Sequence, residues 1–185
     1  LQTELKSRAE PDGQDLFIEG YFAVFGRETE LWPGAFEEIA PGAFDETLNN
    51  DIRALINHDT TLVLGRNKAG TLELKADSYG LWGRIKINPN DSDAVNLYER
   101  VKRGDVDQCS FGFNILEEIT DWRDDGTVKW TLTKIDLHEV SVCTFPVYEE
   151  TGVQARKAEV EQHRQRLLEA KKNQLKERMR RCLSS

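Results

Sequence analysis

The chain has 185 residues, of which 38% are hydrophobic and 31% are charged, and its formal net charge is −8 at pH 7. This length provides one ordinary domain and an appendage, and the apolar residues suffice for one core. Because no apolar run is long enough to span a bilayer and no basic-then-apolar leader opens the chain, we expect neither a membrane protein nor a secreted one.

Composition divides the chain into three parts. Residues 1–15 are polar and include turn-forming residues, which predicts a flexible N-terminal arm. The aromatic and β-branched runs fall in residues 16–150, which form the predicted body. Residues 151–185 are dominated by Gln, Glu, Lys and Arg, which predicts a charged helical tail.

Short β-forming runs separated by turn signals follow one another through the body. In chain order, the predicted strands are Leu16–Phe25, Phe36–Ile39, Ile52–Asn57, Val63–Arg66, Leu72–Ala76, Leu81–Ile87, Ser110–Ile119, Val128–Ile135 and Leu137–Phe145. Many short strands with few helices indicate a mainly β protein with peripheral helices. We expect the strands to be antiparallel and to close into a β-barrel.

Two helices are predicted within the body. The segment Gly42–Asn50 suits a short helix because Phe44 and Leu48 are spaced at i and i+4. The second helix is capped by Asp91 or Ser92 and ends at Gly104. Its predicted apolar face consists of Ala94, Leu97, Tyr98 and Val101.

The tail has the opposite charge to the rest of the chain. From Arg156 to Arg181 there are ten Lys/Arg and four Asp/Glu, so the remainder carries −14. An acidic body repels nucleic acid, and the tail has no aromatic side chains for base stacking, which argues against nucleic-acid binding. The tail is either a partly disordered linker or a helix that docks on a partner.

The cysteines indicate neither disulfides nor a metal site. Cys109, Cys143 and Cys182 show no CxxC spacing, and an odd count is a poor disulfide framework. Ligand sets for zinc or iron–sulfur clusters are missing, as are the usual nucleotide-binding motifs. A reducing, intracellular compartment fits this composition best.

Of the three histidines, His58 has the most informative position. His163 lies on the polar tail as a solvated side chain, and His138 lies in a β-forming run. His58 ends an apolar strand and enters a loop between Asn57 and Asp59, where catalytic groups are commonly displayed. From the spacing alone, a surface histidine in an ordinary turn is the favoured interpretation.

Ser110 opens a predicted strand with aromatic residues on one face. Because Phe111 and Phe113 alternate, Ser110 and Gly112 share the other face. A serine beside a glycine leaves open space for a substrate backbone to approach. The alternative is a small residue that fills a tight corner of a barrel.

Glu139 is a carboxylate within a β-forming run. Alternation places Leu137, Glu139 and Ser141 on one face and His138 on the other. If the face of Glu139 is buried, the carboxylate needs a hydrogen-bond partner, and if it is solvated it needs no explanation.

A serine, a histidine and a carboxylate together can perform nucleophilic catalysis. The imidazole takes the proton of the serine, and the carboxylate orients the ring and stabilises its charged form. No GxSxG motif identifies the set locally, and its order along the chain is His, Ser, Glu.

An ordered series of short motifs across residues 20–150 resembles the prohead proteases of tailed bacteriophages of the HK97 type. These proteases are in turn similar to the herpesvirus assemblins. The motifs that carry the resemblance are Gly20–Phe25, Glu38–Phe44, Leu55–Asp59, Leu64–Arg66, Gly80–Leu81, Ser110–Phe113, Leu137–Val142 and Pro146–Tyr148.

The resemblance implies roles for individual residues. Ser110 corresponds to the nucleophile and His58 to the general base. Glu139 stands where the assemblins place a second histidine, and its carboxylate would orient His58. Asp59 and Asp136 are rival carboxylates for this third role.

The oxyanion hole departs from the assemblin pattern. The assemblins use an arginine-bearing loop, whereas this chain has Pro146, Val147 and Tyr148 in the corresponding region. Backbone N–H groups near Val147 or Tyr148 are the expected substitutes.

The resemblance also implies a fold, an activity and partners. The fold is a barrel of about seven strands wrapped by helices, with no metal or cofactor. The activity is that of a serine endopeptidase that cleaves itself and the scaffold segment of the major capsid protein, or a separate scaffold protein, inside the assembling prohead in the host cytoplasm. Dimerisation activates the assemblins, so a homodimer is expected.

Two matters stay open. The tail either docks on the scaffold or is cut away during maturation. The alternative to an enzyme is a non-enzymatic capsid scaffold module whose helical tail binds the shell.

Overall fold

The computed structural model describes residues 5–9, 15–146 and 150–183. The chain divides into two compact units, residues 1–147 and residues 148–185. In the described residues, neither helix has a stretch long and apolar enough to cross a membrane.

The first sheet of the body has four antiparallel strands. In the spatial order β1-β2-β8-β7 they are β1 (Leu5–Ala9), β2 (Leu16–Val24), β8 (Gly80–Ile87) and β7 (Leu72–Ala76). Its inner face supplies Ile18, Phe22, Leu81 and Ile85, all fully buried, to the single core.

The second sheet has six strands and is organised around one long strand. Its members are β3 (Thr29–Trp32), β4 (Ala35–Ile39), β5 (Arg53–Ile56), β6 (Asp59–Arg66), β9 (Gln108–Trp122) and β10 (Val128–Cys143). The order is β3-β4-β10-β5-β6, and β9 also pairs with β10. β10 runs parallel to β4 along its first part, parallel to β5 along its last part, and antiparallel to β9 throughout.

The mainly β class is confirmed, but the barrel is not. The strand pairings in the described residues leave both sheets open. The expectation of purely antiparallel strands is wrong, because β10 pairs in parallel with both β4 and β5. One continuous strand, β10, replaces the two predicted strands Val128–Ile135 and Leu137–Phe145. Its first half pairs with β4 and its second half pairs with β5.

Helix α1 (Ser92–Arg103) follows the prediction closely. The Asp91 carboxylate accepts hydrogen bonds from the backbone N–H groups of Asp93 and Ala94 at 3.0 and 3.3 Å. Gly104 ends the helix with φ of 84°, a left-handed conformation that glycine adopts without steric cost. The buried face consists of the four predicted residues, Ala94, Leu97, Tyr98 and Val101.

The described part of the predicted N-terminal arm includes a strand. Leu5–Ala9 forms β1 along β2, although residues 1–15 were expected to be flexible. The segment has a single buried apolar side chain, Leu5, and therefore carries little sequence signal. Backbone hydrogen bonding to the free edge of β2 makes it a strand.

The predicted helix at Gly42–Asn50 is instead a series of turns. Gly42 begins it with φ of 86°, and Thr47 N–H donates to the Phe44 carbonyl at 3.1 Å, an i→i+3 bond. Thr47 is 2% exposed, and its hydroxyl accepts the N–H of Leu137 at 2.8 Å. This bond anchors the turns to β10.

Helix α2 (Glu150–Leu183) makes up the described part of the C-terminal unit. The expected long C-terminal helix is therefore present. Its larger apolar side chains are exposed, namely Leu167, Leu168, Leu175 and Met179. The sparse apolar spacing in the sequence agrees with this solvated character.

We expect Thr47→Val to lower the free energy of unfolding by about 1–3 kcal/mol, because the buried N–H of Leu137 loses its acceptor. Thr47→Ser keeps the hydroxyl and should lose only a methyl group, about 0.8 kcal/mol. Urea unfolding followed by fluorescence measures both. A valine variant as stable as the serine variant would contradict this role of the hydroxyl.

Candidate active site

His58 lies in a tight turn with an unusual backbone. β5 ends at Ile56 and β6 begins at Asp59, so Asn57 and His58 form a two-residue hairpin turn. Their φ angles are 49° and 61°, and positive φ at both positions is the requirement of a type I′ turn. Asparagine and histidine are both among the non-glycine residues that adopt this conformation more often than others.

The turn is held by the end of β10. Asn57 N–H donates to the Val142 carbonyl at 3.0 Å, and its side-chain oxygen accepts the N–H of Thr144 at 3.0 Å. His58 N–H donates to Ser141 Oγ at 3.1 Å. Because β5 runs parallel to the end of β10, these three bonds place the histidine beside that strand.

His58 and Glu139 are in direct contact. Nδ1 of the ring lies 2.6 Å from Oε1 of the carboxylate, and the side chains are 26% and 14% exposed. A carboxylate accepts, so Nδ1 carries a hydrogen, and in the neutral form of the ring Nε2 has the lone pair. Nε2 is buried and has no hydrogen-bond partner among the described residues. This tautomer is the one that a general base requires.

Ser110 lies on the same face of the sheet. It is paired across the strands with Ser141, and Glu139 is paired with Gly112 two positions further. Residues directly opposite in an antiparallel pair have Cβ atoms about 4.5–5.5 Å apart on one face. Ser110 therefore lies across the strands from Ser141, which is bonded to both His58 and Glu139. Since Nε2 has no partner, the Ser110 hydroxyl does not donate to it in this arrangement.

A β-bulge at His138 corrects the predicted alternation. Leu137 is opposite Phe113 and Glu139 is opposite Gly112, so two steps on β10 match one step on β9. Leu137 therefore points into the core, where it is 1% exposed, rather than sharing the face of Glu139. The bulge lets β10 bury Leu137 and still present Glu139 on the other face.

The sequence suggested open space for a substrate above Gly112, but in the structure this space is occupied. A Cβ atom at this position would lie 2.6 Å from Oε1 of Glu139 and 3.2 Å from its Cδ. The glutamate side chain therefore lies directly over the glycine. The absence of a side chain at Gly112 makes room for the carboxylate rather than for a substrate.

Ser141 is a site residue that the sequence argument did not single out. Its hydroxyl donates to Oε2 of Glu139 at 2.6 Å and accepts from His58 N–H, and the residue is 0% exposed. The available signal was a small polar residue two positions after a carboxylate on one face of a strand. That signal is weak, because serine is common on the solvated faces of strands.

The rival carboxylates have other partners. Asp59 accepts from the backbone N–H of Thr61 at 2.8 Å and from its hydroxyl at 2.6 Å, and these bonds lower the pKa of Asp59 below its usual range. Asp136 accepts from the Asn50 amide at 3.0 Å. Of the three candidates, Glu139 contacts the His58 ring.

The other histidines lie elsewhere. His138 is the bulged residue, its side chain is 51% exposed, and its Nε2 is 4.0 Å from Oδ2 of Asp136. His163 lies in α2, within the separate C-terminal unit. Val147 and Tyr148, the expected sources of oxyanion donors, fall outside the described residues.

The neighbouring hydroxyl and thiol groups are poor candidates for a nucleophile. Ser141 is fully buried and its hydroxyl is bonded to Glu139. Cys143 is 1% exposed, and burial, assisted by the negative charge of Glu139, raises the pKa of its thiol to about 11. A thiol with this pKa stays protonated at neutral pH. Ser110, in contrast to both of these residues, is half-buried.

In the described part of the chain, no group of three or more His, Cys, Asp or Glu side chains is arranged to hold a metal ion. The site residues described above supply a hydroxyl, an imidazole and a carboxylate. This set suits acyl transfer through a covalent intermediate.

Comparison with known proteins gives two matches. The family model described as caudovirus prohead serine protease matches residues 3–166. The chain is 31% identical over 162 residues to the prohead protease of Enterobacteria phage HK97, an alignment that covers 85% of this chain. It covers 66% of the length of that relative, slightly less than two thirds. No solved structure matches the chain.

We expect Cys143 to resist alkylation in the folded protein at a pH of about 8, because so little thiolate is present and the side chain is buried. Reaction with iodoacetamide should be at least about 100-fold slower than in urea, where the thiol has an ordinary pKa. Mass spectrometry of the peptide that contains Cys143 measures both rates. Equal labelling of folded and unfolded protein would contradict the assignment.

Proposed function

Because the chain belongs to the caudovirus prohead serine protease family, we propose that it is a serine endopeptidase of capsid maturation. Ser110 is the nucleophile, His58 the general base and Glu139 the residue that orients the base. The observation that carries this proposal is the 2.6 Å contact of His58 Nδ1 with Glu139, which leaves Nε2 without a partner on the face that also holds Ser110.

The proposed reaction begins with attack of Ser110 Oγ on the carbonyl carbon of the scissile peptide bond. His58 Nε2 takes the hydroxyl proton as the C–O bond forms, and Glu139 stabilises the resulting imidazolium. The imidazolium then donates this proton to the leaving amine as the C–N bond breaks. A water molecule, deprotonated by the same nitrogen, hydrolyses the acyl-enzyme and restores the Ser110 hydroxyl.

The proton transfer from Ser110 to His58 requires a hydrogen bond that the free protein does not have. The Ser110 hydroxyl must reach His58 Nε2, whereas no hydrogen bond joins them here. Catalytic hydrogen bonds are often long in the absence of substrate and shorten in the Michaelis complex. Rotation about χ1 of Ser110 moves the hydroxyl without any change in the backbone.

The proposed substrates come from the assembling capsid. The similar phage protein is named a prohead protease. By extension, this chain cleaves the scaffold segment of the major capsid protein, or a separate scaffold protein, and itself, inside the prohead in the host cytoplasm. The basic residues of α2 are suited to hold the protease on an acidic scaffold surface during assembly, and a homodimer is expected by analogy with the assemblins.

We expect Ser110→Ala to abolish covalent labelling by a fluorophosphonate probe, because the probe forms its bond with the serine oxygen. Ser78→Ala, which removes an exposed turn hydroxyl, is the matched control and should label normally. Gel fluorescence and peptide mapping report the result. Labelling that persists in Ser110→Ala would place the nucleophile elsewhere, and a wild-type protein that never labels would favour the non-enzymatic scaffold.

We expect Glu139→Gln to slow labelling of Ser110 by about 10²–10⁴-fold, because an amide cannot favour the charged form of His58 and holds the wrong tautomer. Asp136→Asn, on the same strand, is the control and should label at the wild-type rate. The measurement is the rate of fluorophosphonate incorporation into purified, folded protein. An unchanged rate in Glu139→Gln would assign the third role to another carboxylate.

A further inference from the structure

The hydroxyl of Ser141 is unusual because it is completely buried. Ser141 and Thr47 are the two buried polar or charged side chains in the described residues. Ser141 lies between Val140 and Val142 on β10, where an apolar side chain would need no partner. A buried hydroxyl must be hydrogen-bonded to avoid a penalty, so its partners indicate its use.

Both partners of Ser141 belong to the proposed catalytic pair. The hydroxyl donates to Oε2 of Glu139 at 2.6 Å and accepts the backbone N–H of His58 at 3.1 Å. The other oxygen of Glu139, Oε1, binds the His58 ring. The three residues thus form a closed ring of hydrogen bonds, and this ring does not include Ser110.

This ring removes the freedom of a flexible side chain. Glutamate has three side-chain torsions, and a single bond to His58 leaves the plane of its carboxylate free to rotate. With Oε2 held by Ser141, Oε1 has a fixed direction toward Nδ1. The same hydroxyl holds the backbone of His58 in its left-handed conformation, so one group positions both partners.

Gly112, on the opposite strand β9, leaves room for the Glu139 carboxylate. A Cβ atom there would lie 2.6 Å from Oε1, the oxygen that binds His58. Contacts of this kind are too short to be tolerated, so any side chain at this position displaces the carboxylate. Ser141 holds Glu139 on one side, and the bare backbone of Gly112 allows it on the other.

We propose that Ser141 is a positioning residue that fixes Glu139 against His58, with Gly112 providing the space that the carboxylate occupies. This inference rests on the proposed protease function for its catalytic meaning. The placement itself can be tested without catalysis. Loss of the Ser141 hydroxyl should therefore change which ring nitrogen of His58 carries the hydrogen, even in a variant that cannot catalyse the reaction.

The first readout is the tautomer of His58, measured from ring ¹⁵N chemical shifts at a pH of about 8.5, where imidazoles are neutral. Nδ1–H should predominate in the parent protein, here Ser110→Ala to exclude catalysis. Ser141→Ala and Gly112→Ala should each shift His58 toward the Nε2–H form that free imidazole side chains prefer. His138 and His163 are internal references that should not change.

The matched control lies on the same strand. Thr131 Oγ1 donates to Glu38 at 3.1 Å, so Thr131→Val removes another hydroxyl–carboxylate bond of β10 without touching the site. Its His58 spectrum should equal that of the parent. Ser141→Thr restores a hydroxyl and should restore the Nδ1–H tautomer. If Ser141→Ala does not fold, Gly112→Ala tests the same carboxylate from the other side.

The second readout is the reaction of Ser110 with a fluorophosphonate in the otherwise wild-type protein. The limiting rate of inactivation should fall about tenfold or more in Ser141→Ala, with little change in apparent probe affinity and with recovery in Ser141→Thr. An unchanged His58 tautomer in both Ser141→Ala and Gly112→Ala would overturn the proposal. If the wild-type protein does not label but the tautomers shift as expected, the positioning holds and the protease assignment fails instead.

Discussion

The arrangement of the candidate site depends on one hydrogen bond, between Nδ1 of His58 and Oε1 of Glu139. The residues are 81 positions apart in the chain, yet these atoms are 2.6 Å apart in the fold. The bond requires that Nδ1 carries a hydrogen, and Nε2 is left without a hydrogen-bond partner among the described residues. A surface histidine in an ordinary turn, the reading that local spacing favoured, does not have this geometry.

Three local departures from regular β structure support that bond. The His58 backbone is left-handed, His138 forms a bulge, and Gly112 has no side chain to obstruct the carboxylate. Each of the three has a direct effect at the same contact. Departures from regular structure that meet at one contact are a common property of functional sites.

The connection between core and site lies in β10. One face of its last part contributes Leu137, Val140 and Val142 to the core, and the other presents Glu139 and Ser141. Packing thus sets the strand rigidly, and rigid support is what precise placement of reacting groups requires. The family match over residues 3–166 includes all of these elements.

Local sequence patterns determined much of the secondary structure. The capped helix α1, most strands, the long helix α2 and the mainly β class follow from capping residues, alternation and composition, since these act over a few residues. The motifs also brought His58, Ser110 and Glu139 forward as candidates, and their catalytic roles stay predictions.

Only the tertiary structure decided how the strands pair, because pairing joins segments that are far apart in the chain. It made β10 parallel to β4 and β5, turned Leu5–Ala9 into a strand, and replaced the helix at Gly42–Asn50 by turns bonded to β10. It also placed the bulge that reverses the side of Leu137 and revealed Ser141 as the partner of both His58 and Glu139. A period-two pattern carries no information about where an extra residue is inserted, since that position depends on the neighbouring strand.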